Sequence, residues 1–415
     1  MKRVMMRKLN FYQALAIGLG NIIGAGIFVM AGSSISAAGP GAILAFLITA
    51  LYAVSVGLNS AELSSIFTDV EGGVYSFTLK SLGETSGFLV GWFRVIAYSI
   101  GGGATALGFS GYLVQVGLIP PPLYYPVAAL LILTLLTIDY LGLRLAAEVE
   151  SGLVVLSVMG LTVFIVSSFV LAGIRPNNFI PLLPHGVYGL LTASNIAFFA
   201  YSGFNTVATL TPSTENGEKV IPKAIVASLI LSALLYMAVV TAMVNAVMWT
   251  SFGENSAPLD LVLGSLHSPK YLVDFVTLTA LSATISVTLS TIIAGERTLR
   301  QLSGDFRLPF SGHPLMLVGS VMLLSLFLGN VEAIALASNF GIVFSYMLTG
   351  VEVMRVRRRG LRGKFRSPAY PWLQVASTVL SAIFLISLGG TSLAIGAVTL
   401  LVGLVIYEIL REERR

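Results

Sequence analysis

The stretch that decides the fold is Gly18-Leu-Gly-Asn-Ile-Ile-Gly-Ala-Gly-Ile-Phe28, inside the first long apolar segment of the chain. Each glycine costs a helix about 1 kcal/mol relative to alanine, so a cluster of glycines predicts a weak point there. A second interruption, Phe198-Phe-Ala-Tyr-Ser-Gly-Phe-Asn205, lies inside the sixth apolar segment. Small residues in membrane helices also serve close helix packing, and one such cluster alone would favour packing.

Composition places these segments in a lipid bilayer. The 415 residues include 24 basic and 19 acidic ones, 10% of the chain, whereas 56% are hydrophobic and the mean hydropathy is +0.89. A soluble protein has about 25% charged residues, which its surface requires. The chain has no Cys, which excludes thiolate metal centres and cysteine nucleophiles, and its three His residues lie far apart in sequence, which argues against a histidine metal centre. We expect no cofactor.

The apolar segments predict an all-α, polytopic membrane protein. About 20 apolar residues span the bilayer core, and long runs containing glycine indicate helices rather than the short alternating strands of a barrel. Twelve transmembrane helices are predicted, at residues 11–35, 40–66, 86–113, 123–140, 146–173, 187–211, 221–249, 271–296, 312–329, 331–354, 371–388 and 391–410.

The basic residues predict the orientation. If the N-terminus is inside, nearly all of the 24 Lys and Arg residues fall on the cytoplasmic side, with only Arg175 and Lys270 outside and Arg94 near the inner end of the third span. Cytoplasmic loops carry such an excess. We therefore expect a multi-pass protein of the cell membrane with both termini in the cytoplasm, and the Arg355–Arg366 cluster to contact anionic lipid head groups.

The two interruptions occupy corresponding positions. The sixth span opens the second half of a ten-helix core, and five helices per half make the second half enter the membrane upside down. Interrupted helices at matching positions of inverted halves indicate a transporter binding site near the midplane, which favours function over packing. The predicted segments are a cytoplasmic N-terminus (1–10), two repeats (11–173 and 187–354), a basic loop (355–370), two further helices (371–410) and a tail (411–415).

Unwound backbone at these positions suits an amino acid. The freed N–H groups around Ala25, Gly26 and Ile27, at the positive end of a helix, can bind a carboxylate, and freed carbonyls can accept from an ammonium group. Such backbone is tolerated at this depth only where it lines a cavity or is buried in protein. The predicted substrate-binding residues are Ile23, Gly24, Ala25, Gly26, Ile27, Phe199, Tyr201, Ser202, Gly203, Phe204 and Asn205.

At these residues the chain resembles the amino acid–polyamine–organocation transporter family. The glycine-rich motif resembles that family's first helix, and similar motifs follow in order along the chain. They are Glu62-Leu-Ser64, Glu71-Gly-Gly-Val-Tyr75, Phe198–Asn205, Lys219–Ile225, Arg297–Pro309 and Phe365–Pro371. The resemblance implies a carrier driven by protons, sodium or exchange, with a five-plus-five inverted-repeat (LeuT-like) core and two additional C-terminal helices.

Departures from that family bear on the coupling ion. Ser157 stands where several proton-coupled relatives have a Lys, and sodium-coupled members of the wider fold hold an ion there with carbonyls matching Gly20 and Ile23 and with hydroxyls of helix eight. Ser282 and Ser286 lie four residues apart on that helix. Sodium is the only candidate metal, and the candidate coupling-ion residues are Gly20, Ile23, Ser157, Ser282 and Ser286. Such hydroxyls also commonly bond back to their own helix, and proton coupling stays open.

The placement of acidic residues favours a neutral substrate. Asn205 stands where some relatives with basic or exchanged substrates have an acid, and Glu62, Asp139, Asp274, Glu332 and Glu352 are all predicted near span ends. An acid within the membrane would indicate a functional site. Glu62 and Arg297 are candidates for a pair at the cytoplasmic gate.

The predicted function is secondary active transport of amino acids, preferentially neutral ones, by alternating access, as symport or antiport. The open alternatives are an amino acid exchanger, a carrier of polyamines or cationic amino acids, and a sensor that does not transport. No G-x-S-x-G or H-E-x-x-H motif supports an enzyme. The expected partners are an amino acid, Na⁺ or H⁺, and membrane lipid, with no nucleic acid.

Overall fold

The computed structural model describes residues 8–68, 73–142, 147–253, 255–308 and 312–413. Several features of the sequence prediction lie outside this part of the chain. They are the first seven residues of the basic N-terminus, Glu71 and Gly72 of the first loop motif, Arg144, Pro309, and the last two residues of the tail.

The described residues form a bundle of α-helices. Numbered in chain order, these are α1 (Phe11–Ile22), α2 (Ala25–Ala38), α3 (Ala42–Ile66), α4 (Gly73–Leu82), α5 (Glu84–Gln115), α6 (Tyr124–Tyr140), α7 (Ala147–Ala172), α8 (Gly186–Tyr201), α9 (Gly217–Ala246), α10 (Pro258–Ser265), α11 (Lys270–Phe306), α12 (Pro314–Ser325), α13 (Val331–Arg358), α14 (Trp372–Ile386) and α15 (Gly390–Glu413). A 3₁₀ helix, Phe204–Ser213, follows α8.

Both predicted interruptions are breaks in the helices. Helix α1 begins with a capping box, in which Asn10 and Gln13 satisfy each other's backbone N–H groups, and it ends after 12 residues at Ile22. Helix α2 starts again at Ala25. At the second break, α8 ends at Tyr201 and the chain continues as the 3₁₀ helix. The glycine-rich sequences therefore mark the positions where regular α-helix stops.

Seven segments of the described chain are long and apolar enough to cross a membrane, and Pro314–Leu328 and Trp372–Ile386 are shorter apolar helices. One of the seven, Ala25–Ile66, contains both α2 and α3. The predicted number of twelve spans does not follow from length and apolarity alone, because the breaks leave α1 and α8 with only 12 and 16 residues. The chain is a multi-pass membrane protein.

Helix α5 occupies the centre of the bundle, where it packs against α11 and α13, and α2 packs against α8. The outer helices carry apolar side chains on their exposed faces; for example, Leu130 on α6, Val170 on α7 and Leu401 on α15 are 63%, 75% and 62% exposed. Exposed apolar side chains in such number fit contact with lipid rather than water.

The last turn of α13 carries Arg355, Arg357 and Arg358, and Arg357 forms an ion pair with Glu62; we call this end of the bundle the basic end. Arg357 donates to both carboxylate oxygens of Glu62 at 2.7 Å, and the Ser367 N–H donates to the same carboxylate at 2.8 Å. Glu62 is thus paired with Arg357 and not, as the sequence suggested, with Arg297.

A backbone bridge at the basic end joins the start of the chain to the second break. The Leu9 N–H donates to the Ser213 carbonyl at 2.9 Å, and the Glu215 N–H donates to the Leu9 carbonyl at 2.9 Å. The bridge therefore connects the residues before α1 with the end of the 3₁₀ helix.

Candidate functional site

A cavity of about 100 Å³ lies where the two helix breaks meet. Its wall consists of the α1–α2 junction, the end of α8, and residues of α5, α7, α11 and α13. All of the described residues that line it are uncharged. Apolar side chains on several sides, including Leu153, Val154, Phe199, Val287 and Ile342, make most of the wall hydrophobic.

Two glycines allow the broken helices to touch. A Cβ atom on Gly26 would lie 2.3 Å from the Cα of Ala200, and one on Gly203 would lie 1.8 Å from the carbonyl oxygen of Asn21. Neither position has room for a side chain. The glycines that weaken the helices thus also permit each break to pack against the other, so close packing and a cavity are both present at the breaks.

The start of α2 supplies hydrogen-bond donors to the cavity. As the first residues of a helix, Ala25, Gly26 and Ile27 have N–H groups with no carbonyl of their own helix to reach, and no side chain caps them. Ala25 and Gly26 line the cavity. A helix N-terminus favours negative charge, so this wall can bind a carboxylate.

One hydroxyl serves carbonyls at both breaks. Tyr236 on α9 is fully buried, and its Oη lies 2.5 Å from the Ile22 carbonyl oxygen and 3.2 Å from that of Ala200. Since a tyrosine has one hydroxyl proton, the two carbonyls share a single donor. Carbonyls at the second break have further donors, because Ser202 Oγ donates to Phe199 and Tyr346 Oη to Ser202.

The cavity continues toward the basic end. A second space of about 620 Å³ has Leu9 and Arg297 among its lining residues, and Gly20, Asn21 and Val154 line both this space and the cavity. On the opposite side of the cavity, Phe28 and Met30 of α2 are fully buried. The cavity therefore continues into the space at the basic end, whereas buried side chains of α2 lie on its other side.

The predicted substrate-binding residues fall into two groups. Lining the cavity are Ile23, Gly24, Ala25, Gly26, Phe199, Ser202 and Gly203, whereas Ile27, Tyr201, Phe204 and Asn205 are buried in the surrounding protein. Tyr201 packs against Phe46 and Tyr236, with ring centroids 6.2 and 5.1 Å apart, rather than facing the cavity.

Four of the five candidate coupling-ion residues also line the cavity, namely Gly20, Ile23, Ser157 and Ser286. The fifth, Ser282, does not; its hydroxyl donates to the Leu278 carbonyl of its own helix at 2.8 Å. Ser290, one turn beyond Ser286, lines the cavity instead. Of the two α11 serines predicted from the sequence, Ser286 therefore lies at the cavity and Ser282 does not.

Sequence reasoning missed two buried ionisable residues of the long helices α5 and α13. Glu352, expected near a span end, is fully buried in α13 and accepts a hydrogen bond from Thr78 Oγ1 at 2.5 Å. Arg94 of α5 is 7% exposed and donates to the Tyr98 hydroxyl. The burial of Arg94 could have been predicted from its position ten residues into α5, because a residue that far from the helix end does not contact water.

An uncharged cavity between two broken helices in a multi-pass helical bundle is the arrangement of a membrane transporter. Comparison with known proteins gives the family. The amino acid permease family model matches residues 13–389, so the chain belongs to that family and is an amino acid transporter of the amino acid–polyamine–organocation superfamily. The family resemblance that was drawn from the glycine-rich motif is confirmed.

Several characterised relatives are similar along nearly the whole chain. A branched-chain amino acid permease of Bacillus subtilis is 28% identical, over 98% of this chain and 93% of the relative. A methylthioribose transporter of the same organism is 24% identical, over 97% and 92%. Cationic amino acid transporter 4 of Mus musculus is 27% identical, over 86% and 61%. The family and these relatives are transporters rather than enzymes.

Proposed function

We propose that the protein carries neutral amino acids with branched apolar side chains across the cytoplasmic membrane by alternating access. The observation that carries this proposal is the start of α2, whose free N–H groups open into an uncharged cavity with largely apolar walls. The N–H groups would bind the substrate carboxylate, and Ile342, Val287 and Phe199 would contact its side chain. The similarity to a branched-chain amino acid permease supports the same substrate class.

The orientation and the repeats are part of the proposal. We place the basic end in the cytoplasm, because membrane proteins concentrate Lys and Arg on that side. The site is then open to the cytoplasm in this structure. Residues 11–173 and 187–354 would form the two inverted halves, which is supported by the helix break near the start of each.

For the coupling ion, we propose Na⁺ beside the hydroxyls of Ser157, Ser286 and Ser290. Hydroxyl and carbonyl oxygens are hard ligands that suit such a cation, and these side chains line the cavity together with Gly20. The test is leucine uptake in sodium and potassium buffers by the parent protein and by Ser286→Ala, with Ser282→Ala as the matched control. Equal uptake by the parent in both buffers would refute sodium coupling and leave protons or exchange.

The substrate class is tested with purified protein and with proteoliposomes. We expect leucine, isoleucine and valine to raise the unfolding temperature and to be taken up, whereas lysine, glutamate and methylthioribose do neither. A hundredfold excess over Kd stabilises a protein by about 2.7 kcal/mol. Stabilisation by lysine or methylthioribose alone would refute the proposal, and binding without uptake would identify a sensor.

A matched pair of variants tests the location of the site. Ile342→Phe places a larger side chain at the cavity wall, so leucine binding should be lost while glycine or alanine binding remains. Ile386→Phe is the control, because Ile386 on α14 is 75% exposed and faces away from the bundle. Unchanged leucine binding by a folded Ile342→Phe protein would place the substrate elsewhere.

A further inference from the structure

Arg94 carries a positive charge that is buried beside the cavity. Its guanidinium donates to the Tyr98 hydroxyl, and its Cζ lies 5.0 Å from the centroid of the Tyr98 ring and 5.8 Å from that of Tyr346. Nη1 has no hydrogen-bond partner. Burying a charged group costs free energy unless it is paired, so an arginine in this position calls for an explanation.

No carboxylate within the described part of the chain forms an ion pair with Arg94. Its polar surroundings are neutral, namely Tyr98, Tyr346 and Asn205. The Asn205 side chain is 2% exposed and lies beside the Tyr346 hydroxyl. The cluster formed by these four residues therefore has a net charge of +1.

Only one layer of side chains separates the Arg94 guanidinium from the cavity. Tyr98, which accepts the hydrogen bond from Arg94, lines the cavity, as does Ser202, whose carbonyl accepts from Tyr346 at 3.0 Å. Ala97 and Ile342, one turn from Arg94 and Tyr346 on their helices, also line it. Little water can screen a charge in this position, so its field extends into the cavity.

We propose that Arg94 determines the charge specificity of the transporter by excluding cationic amino acids and polyamines from the cavity. The inference rests on the proposed function and adds a residue to it. A neutral amino acid is a zwitterion with no net charge, so the field changes its binding little. A lysine or polyamine carries additional positive charge that the uncharged cavity wall does not neutralise, and Arg94 repels it.

The test is a series of variants that changes the net charge of the cluster in steps. The parent and Arg94→Lys have a charge of +1, whereas Arg94→Gln and Asn205→Asp, in which the new carboxylate pairs with the buried arginine, have a charge of 0. Binding to each purified variant gives the ratio of lysine to leucine affinity. Uptake of the two amino acids is compared by competition in proteoliposomes. We expect this ratio to rise by about tenfold for each unit of negative charge added, which corresponds to about 1.4 kcal/mol.

The series separates charge from structure. Arg94→Gln and Asn205→Asp remove the net charge by different changes, so a structural role for Arg94 would not make their lysine to leucine ratios agree. If Arg94→Gln fails to fold, Asn205→Asp, which keeps the arginine and pairs it, still gives the neutral cluster. A ratio that does not follow the cluster charge overturns the inference while leaving the proposed function intact. A parent that binds no neutral amino acid refutes both.

Discussion

Asp260 should make the stability of the protein depend on pH. It lies on α10, outside the membrane-spanning segments, and is 2% exposed, with Oδ2 accepting a hydrogen bond from Thr277 Oγ1 at 2.6 Å. Burial raises its pKa from 3.8 to about 7; the Thr277 hydrogen bond lowers the pKa and the nearby Asp274 charge raises it. The buried carboxyl therefore favours its neutral form near neutrality.

The sign and size of the effect follow from this pKa. The folded protein binds the Asp260 proton more tightly than the unfolded chain, so stability from this group is present below about pH 4 and is lost as the pH rises to about 7. A shift of about three pKa units corresponds to about 4 kcal/mol. Asp260→Asn should remove this loss. Between pH 5 and pH 8 the variant should therefore lose less stability than the parent.

The assay is the unfolding temperature of the parent and of Asp260→Asn in detergent between pH 4.5 and 8.5, with about 5 and 8 as the main comparison points. Asp274→Asn is the control, because removing that exposed charge should move the decline of the parent curve to lower pH without abolishing it. If Asp260→Asn and the parent have parallel pH profiles, the reasoning about Asp260 is wrong.

Two further variants test contacts at the breaks and at the basic end. Tyr236→Phe removes the shared donor of two carbonyls, so it should cost about 1–3 kcal/mol of stability and weaken leucine binding, measured by unfolding and by isothermal titration; unchanged values would show that water replaces the hydroxyl. Glu62→Gln leaves Arg357 without its carboxylate and should cost about 3 kcal/mol, near the lower end for buried pairs because the Arg357 side chain is 18% exposed. The control is Glu218→Gln, whose partner Lys364 is 55% exposed and whose loss should cost less than about 1 kcal/mol. Equal effects of the two glutamate variants would contradict this assignment.

The sequence contained most of the information about the breaks. Glycine weakens a helix through its own backbone, so the positions of Gly24 and Gly203 predict where α1 and α8 end without knowledge of their neighbours. The same reasoning found the N–H groups at the start of α2. These features are local, and the structure has them within a residue or two of the predicted positions.

Features that depend on contacts between distant segments were not predictable in this way. The hydroxyl of Tyr236 reaches both breaks from α9, which is separated from Ile22 by more than 200 residues of sequence. Whether Ser282 or Ser290 lines the cavity depends on the position of α11 along its axis relative to α5 and α7. The burial of Glu352 depends on α4, which covers that end of α13 although neither sequence indicates the contact.

The backbone bridge at Leu9 has a mechanical consequence. Its two hydrogen bonds attach the base of α1 to the end of the Phe204–Ser213 segment, and both segments also form the wall of the space that leads from the cavity to the basic end. Helix α1 and the Phe204–Ser213 segment are thus joined to each other at the basic end. If α1 swings to close that passage, it must either carry the second segment with it or break both hydrogen bonds first.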